Sequence, residues 1–377
     1  MYKTKKTTTI SHEDVEEEDM SYIIQSLKNE FSVLSGNNIL ITGGAGFLGY
    51  YFVKSFIKWN SLKKSSSKIS VTILDNFSRG MPEWISKMKK DANLSLIKID
   101  ITEPIKFSKH FDYIIHAASI ASPIYYRKNP IQTMDANVSG LRNLLDYSLK
   151  QKENGKKLKG FLFFSTSEIY GDPDPSNIPT KEDYRGNVSC TGPRACYDES
   201  KRFGETLCVT FANQFKLPIK IVRPFNNYGP GLKITDGRVI SDLIKNVINE
   251  EDIELYSDGS PTRTFCYISD AIIGYIKVLV HGDNGQSYNI GTSKPEISIL
   301  DLSKKIKRIS KKELNYEGKV TMKENLDKNY LTDNPNRRAP DISKAKKEVK
   351  YFPKVSLDEG LKKSIIWYSY NNYGDNL

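Results

Sequence analysis

The sequence predicts an α/β protein with a doubly wound parallel sheet, followed by a smaller C-terminal α/β lobe. Three observations carry this prediction. From Asn38 onward, short apolar and partly β-branched runs alternate with helical stretches; a glycine-rich loop follows the first run; and the alternation fades after about Asn226. Strands buried on both faces read as continuous apolar runs, and parallel neighbours need helical crossovers between them.

Residues 1–36 precede the first strand and carry the acidic run Glu13-Asp14-Val15-Glu16-Glu17-Glu18-Asp19. Ile23, Ile24, Leu27, Phe31 and Leu34 then recur at helical spacing, which predicts a frayed acidic tail leading into a helix docked on the body. The strand runs are Ile39–Ile41, Val71–Leu74, Leu94–Ile97, Tyr113–Ile115, Phe161–Phe164 and Ile219–Val222. Between the fourth and fifth, Ile131, Met134, Val138, Leu141, Leu145 and Leu149 predict a long amphipathic helix. The first lobe is expected over 37–225, with a returning segment near 267–291. The second is expected over 226–266 and 292–377. Ser269-Asp270 and Pro340-Asp341 each precede a helical run and read as caps. There is no internal repeat.

With 377 residues, 38% hydrophobic and 11% aromatic, the chain can bury a large core and fits a two-lobed enzyme better than a small binding module. No apolar run approaches the roughly 20 residues of a membrane span, and the start Met1-Tyr2-Lys3-Thr4-Lys5-Lys6 lacks the apolar core of a signal peptide, so no membrane contact and a cytoplasmic location are expected. The net charge of +11, from 56 Lys+Arg against 45 Asp+Glu, is spread along the chain. Scattered lysines argue against nucleic acid as a partner, whereas a basic field favours an anionic small substrate such as a nucleotide sugar. Cys190, Cys196, Cys208 and Cys266 form no Cys-x-x-Cys pair and have no histidines at ligand spacing, so no metal site is indicated and reduced thiols are expected.

Gly43-Gly44-Ala45-Gly46-Phe47-Leu48-Gly49 stands between a strand and a helix, where a dinucleotide site needs it. Gly43 permits the turn, Gly46 lets the backbone approach a pyrophosphate, and Gly49 lets helix and strand pack closely; the amides at Phe47 and Leu48 then face the phosphate charge. Asp75, followed by Asn76, ends the second strand, where a carboxylate binds ribose hydroxyls and repels a 2′-phosphate. This favours NAD over NADP, although Arg79 stands close enough to accept such a phosphate. Asp100-Ile101 follows the third strand and His116-Ala117-Ala118-Ser119 the fourth, with small residues that let the chain pass under a dinucleotide.

Tyr197 and Lys201 are four apart and share a helix face, so the ammonium is expected to lower the phenol's pKa and make it a general base. A bare Tyr-x-x-x-Lys is more often an exposed polar pair. Its weight here comes from the glycine loop and from Ser165-Thr166-Ser167-Glu168-Ile169-Tyr170-Gly171 at the end of the fifth strand.

With the glycine loop, Thr166, Tyr197 and Lys201 together, the chain from about Asn38 to Tyr368 resembles the extended short-chain dehydrogenase/reductases that act on nucleotide sugars. Within them it is similar to the UDP-glucuronic acid decarboxylases, or UDP-xylose synthases. The similarity rests on Ser167–Pro173, Gly192-Pro193-Arg194-Ala195-Cys196-Tyr197-Asp198-Glu199, Asp236-Gly237-Arg238-Val239-Ile240-Ser241 and Arg338-Ala339-Pro340-Asp341-Ile342. Related 4,6-dehydratases carry Asp-Glu after the threonine and 4-epimerases carry small residues there, so Ser167-Glu168 points to the decarboxylases.

The resemblance implies NAD as cofactor, oxidation at sugar carbon 4 with Tyr197 taking the hydroxyl proton, loss of carbon dioxide from the resulting β-keto acid, and return of the hydride. It assigns Thr166 to the same oxygen, Lys201 to the nicotinamide ribose, Glu168 to the substrate carboxylate or a water, and Arg338 to protonation at carbon 5. Asn226, Arg238 and Arg263 would contact the nucleotide, and Tyr126 and Ser167 the sugar. It also implies a homodimer built on the helices after Asp135 and around Tyr197. Tyr50-Tyr51, Ile124-Tyr125 and Gly231-Leu232 depart from the pattern. The rival readings are another NAD-dependent dehydration or epimerisation of a nucleotide sugar, and a catalytically silent NAD-binding regulator.

Overall fold

The computed structural model describes residues 10–64, 67–323 and 332–371. The apolar runs form the strands β1 (Asn38–Thr42), β2 (Ser70–Asp75), β3 (Leu94–Lys98), β4 (Tyr113–His116), β5 (Gly160–Phe164) and β6 (Ile219–Pro224). With the strand Ser287–Ile290 they make one seven-stranded sheet, in the order Ser287–Ile290, β6, β5, β4, β1, β2, β3. Every neighbouring pair is parallel. The order reverses between β1 and β4, and the crevice at such a switch point is where open α/β sheets bind ligands.

Successive side chains on a strand point to opposite faces, so one run feeds two cores. Ile39 and Ile41 of β1 join the core that also holds Phe31, Tyr51, Phe56 and Ile272, whereas Leu40 joins Leu141, Leu145, Cys208 and Phe211 on the other face. The first face is covered by α1 (His12–Ser26), α2 (Lys28–Leu34), α3 (Phe47–Ser61) and the helix Ile268–His281. The second is covered by the helices Pro130–Glu153 and Ala195–Phe215. No described helix is long and apolar enough to cross a membrane.

Three expectations need correction. The acidic run is not frayed, because α1 begins at His12 behind a capping box in which Ser11 and Asp14 satisfy each other's amides. Buried partners fix the rest of the run: Asp19 accepts from Tyr51 Oη and Tyr267 Oη at 2.7 Å each and from Lys363 Nζ at 3.2 Å, and Glu16 accepts from Tyr50, Lys54 and Trp367. Second, the buried face of Pro130–Glu153 is rotated from the apolar spacing. It includes Thr133, Asn137, Gly140 and Ser148, while Ile131 is 59% exposed. The polar members are satisfied locally or by the next helix, as in the 2.9 Å bond from Asn137 Nδ2 to Ser200 Oγ, and a Cβ on Gly140 would lie 2.6 Å from Ile101. Third, Asp270 is not a cap. It lies inside its helix, accepting from Tyr22 Oη at 2.7 Å and from the amides of Lys354 and Val355. Asp341 does accept from Ser343 N, at 2.7 Å, before the helix Ser343–Val349.

Beyond β6 the short strand Thr262–Arg263 pairs in parallel with Arg337–Arg338 and antiparallel with Ile297–Ser298. The register sets Arg338 opposite Arg263.

Candidate active site

A cleft of about 1310 Å³ opens at the C-terminal ends of β1, β2, β4 and β5 and is roofed by the segments after β6. Every site residue proposed from the sequence lines it except Gly49. Gly49 packs behind the loop, where a Cβ would collide with the Gly44 backbone.

At one end the chain leaves β1 through Gly43, whose φ of +67° and whose contact with Ala118, 2.6 Å from any added Cβ, both demand glycine. Gly46 N-caps α3, and an added Cβ there would have only Gly43 O at 3.2 Å as a near neighbour, leaving the approach from the cleft clear for a ligand's phosphates. Asp75 accepts from Ala45 N at 3.0 Å and Phe77 N at 2.8 Å, tying the end of β2 to the glycine loop; burial raises its carboxyl pKa against these bonds. Asn76 donates to Asp100 at 2.8 Å, and Ala117 and Ala118 form the floor beside Phe47, Leu48 and Ile101. Under that floor His116 Nδ1 meets Thr42 Oγ1 at 2.7 Å, and burial pushes this histidine down to about 3.

In the middle, β5 ends at Phe164 and Thr166 caps the short 3₁₀ turn Ser167–Tyr170, its hydroxyl accepting from Glu168 N at 3.2 Å. The helix Ala195–Phe215 supplies Tyr197 and Lys201 from one face. Tyr197 lies flat on Tyr126, ring centroids 5.0 Å apart and planes 7° from parallel. Burial pushes its phenol up to about 12, with a hydrogen bond to Thr166 opposing. Lys201 donates to Phe164 O at 2.8 Å, and burial brings it down to about 7. The expected lowering of the phenol by the ammonium is therefore not what this arrangement produces: both groups are buried, and desolvation disfavours the charged form of each.

At the far end Glu168 is gripped by Arg338 through Nη1 and Nη2, the latter at 2.7 Å, and by Arg194 through Nη2. Burial alone would raise the Glu168 carboxyl, but the charges of Arg194 and Arg338 outweigh it and hold the group at about 2. Asp198 sits 3.8 Å from Arg194 Nε, too far to be held ionised; burial and the Glu168 charge push it up to about 8. Arg263, brought down to about 9 by burial and the Arg338 charge, donates to the carbonyls of Thr262, Pro335 and Asn336 and to Asn334 Oδ1. These bonds hold the Arg338 strand, and Arg263 also lines the cleft. Asn226 donates to Thr264 O at 2.9 Å with φ +41°, and Arg238 Nε reaches Asp236 at 3.1 Å.

Arg194, Asp198 and Asp236 join the site although the motifs that contain them give them no role by spacing alone. Arg194 had a usable signal, three residues ahead of Tyr197 at a helix start. The departures from the decarboxylase pattern also find partners. The Tyr50 ring fills the space beside Gly231, where an added Cβ would lie 2.5 Å from it; Ile124 packs on Gly237; and Tyr125 lies under Arg79, 4.4 Å from its ring centroid.

A model of the NAD dependent epimerase/dehydratase family matches residues 39–291. The chain belongs to that family. Relatives within reach include UDP-glucuronic acid decarboxylase 6 of Arabidopsis thaliana, 38% identical over 320 residues that make up 85% of each chain. UDP-glucuronic acid decarboxylase 1 of Xenopus tropicalis is 36% identical over 330 residues, 88% of this chain and 72% of the relative. Among solved structures, the UDP-glucose 4-epimerase of Thermotoga maritima with UDP-glucose superposes with a TM-score of 0.75 at 26% identity, covering 89% of this chain and 99% of that one. An enzyme of Bordetella bronchiseptica in complex with NAD+ gives 0.69 at 25% identity, covering 90% and 95%.

The residues present fit the NAD of this family. The Gly43–Gly46 cradle faces the cleft and Asp75 stands at the ribose position. Buried atoms of cleft-lining residues that lack hydrogen-bond partners among the described residues include Tyr126 Oη, Ser165 Oγ, Arg194 Nε and Arg338 Nε. Each such group costs about 1–3 kcal/mol, which a polar ligand relieves.

Proposed function

We propose that this protein is an NAD-dependent decarboxylase that converts UDP-glucuronic acid to UDP-xylose. The observation that carries the reading is Glu168, held as a carboxylate between Arg194 and Arg338 with a serine, not a second carboxyl group, beside it at Ser167. With Arg194, Arg338 and Arg263 around one glutamate, the pocket keeps an excess of positive charge suited to a hexuronate carboxylate. The names of the relatives support the same substrate.

NAD when bound supplies a hydride acceptor and donor, and a positive ring charge of the kind that lowers a neighbouring phenol's pKa. Tyr197 takes the proton of the carbon-4 hydroxyl as the carbon–hydrogen bond is oxidised, and Thr166 donates to or accepts from the same oxygen. The ketone is β to the carboxylate, so the carbon 5–carboxyl bond breaks with its electrons moving into an enolate at oxygen 4. Tyr197 and Thr166 stabilise that oxygen. Carbon dioxide leaves uncharged, so the negative charge passes from the carboxylate near Arg194 and Arg338 to oxygen 4. A proton from water is then added to carbon 5 in place of the carboxyl group, with Arg338 beside it, which turns the enolate back into the ketone; as the hydride is restored to carbon 4, Tyr197 gives its proton back to oxygen 4.

Incubation with UDP-glucuronate and catalytic NAD tests this: carbon dioxide and UDP-xylose are expected. Turnover of UDP-glucose or UDP-galacturonate instead would sink it, and tight NAD binding without turnover of any sugar nucleotide would favour the silent regulator. We also propose a homodimer. Its support is that the helices Pro130–Glu153 and Ala195–Phe215 leave Ile131 and Phe203 exposed at 59% and 49%. Light scattering at the monomer mass would count against it.

A further inference from the structure

We infer that Asp236 sets cofactor choice at a distance, by withholding Arg79 from the ribose of the bound dinucleotide. Between Asp75 and Pro82 the chain has one cation, Arg79. An arginine in this position beyond the second strand is the kind of group that accepts the 2′-phosphate of NADP. The loop is turned tightly by Phe77 at φ +55° and Gly80 at φ +84°, with Gly80 N bonded to Phe77 O at 2.9 Å. Asp236 and Tyr125 engage the Arg79 side chain. Its Nη1 donates to Asp236 Oδ1 at 2.6 Å, its guanidinium lies 4.4 Å above the Tyr125 ring centroid, and its carbonyl accepts from Lys233 Nζ at 2.7 Å.

Asp236 is built for this grip. Its side chain is 3% exposed against 38% for Arg79, so the aspartate is the fixed partner and the arginine the movable one. Three contacts set the aspartate: its main-chain oxygen accepts from Ser122 Oγ at 2.5 Å, its amide bonds to Lys233 O at 3.0 Å, and its second carboxylate oxygen meets Arg238 Nε at 3.1 Å. Two carboxylates then act on one choice. Asp75 repels a 2′-phosphate directly, and Asp236 occupies the one loop cation that would offset the repulsion. Asp236 is argued to act through Arg79, so it is a positioning residue.

The test measures NAD and NADP affinities by calorimetry on the whole protein without any sugar nucleotide, so its outcome is independent of the substrate assigned above. In Asp236→Asn the charge-assisted bond to Arg79 is weakened, and NADP affinity is expected to rise about tenfold while NAD affinity stays within about twofold. Adding Arg79→Ala to that variant should remove the gain. A merely structural role would weaken both cofactors together and leave their ratio unmoved. Unchanged NADP affinity in Asp236→Asn, or a gain that survives loss of Arg79, overturns the inference. Arg79→Ala alone decides the matter if Asp236→Asn does not fold: an unchanged NADP-to-NAD ratio agrees with an arginine already withheld, and a fall in NADP affinity contradicts it.

Discussion

Tyr197 is held by its ring on Tyr126 and by its hydroxyl at Thr166. Phenylalanine keeps the stack and removes only the proton carrier, so Tyr197→Phe should cut kcat by about 10³-fold while NAD affinity, read by calorimetry, stays within about twofold. Near-normal turnover would take Tyr197 out of its role. Glu168 carries a second prediction, with a sign set by its depressed pKa. In the unfolded chain it titrates near 4.5, and in the fold near 2. Its ion pairs therefore contribute fully above about pH 4.5, and that contribution is lost as pH falls towards about 2. Glu168→Gln should lower the urea midpoint at about pH 6, and the gap from the parent should narrow at about pH 3; a gap that widens would contradict the assignment. The same variant should slow carbon dioxide release more than it weakens NAD binding. The spacing of Tyr197 and Lys201 was legible in the sequence because one helix turn settles it. Their proton affinities were not, because those depend on how much of the sheet and roof closes over them.

At the scale of elements, α1 shows how one side of a charge run is tied to the body of the fold. Glu16, Glu17 and Asp19 reach Lys54, Lys58 and Lys363 and the phenols of Tyr50, Tyr51 and Tyr267, which come from α3, from the segment ahead of the helix Ile268–His281 and from the C-terminal helix Leu357–Tyr370. Asp19 is fully buried, and burial raises its pKa against its three partners. Removing one member of a buried, bonded set strands the others, so Asp19→Ala should cost about 3–5 kcal/mol in urea unfolding. An unshifted midpoint would show that α1 adds little. Because Tyr50 also lines the cleft beside Gly231, the same variant should weaken NAD binding through α3. The helical period of Ile23 to Leu34 was readable. The docking of the acidic residues was not, since charge runs are usually solvated and all of their partners lie far along the chain.

Across the whole molecule, the glycine cradle and the arginine-rich far end share one cleft, and Arg79 to Asp236 ties its two sides. A ligand that binds only the folded chain stabilises it by mass action, about 2.7 kcal/mol at a hundred times its Kd. NAD should therefore raise the thermal midpoint, and UDP added to it should raise it again; no shift with NAD would contradict the cradle. The parallel sheet, the glycine loop, Asp75 at a strand end and the spacing of Tyr197 and Lys201 can all be read from the chain alone. Each of these rests on residues close along the chain, where the two-residue period of a strand, the turn of a helix or a tight loop dictates the geometry. Only the folded chain shows that Glu168 is clamped by Arg194 and Arg338, that Arg263 donates to backbone carbonyls, that Arg79 faces Asp236, and that Asp19 of the acidic N-terminal run is buried. Those outcomes join residues tens to hundreds of positions apart, and burial and Coulomb energies that exist only after folding select them.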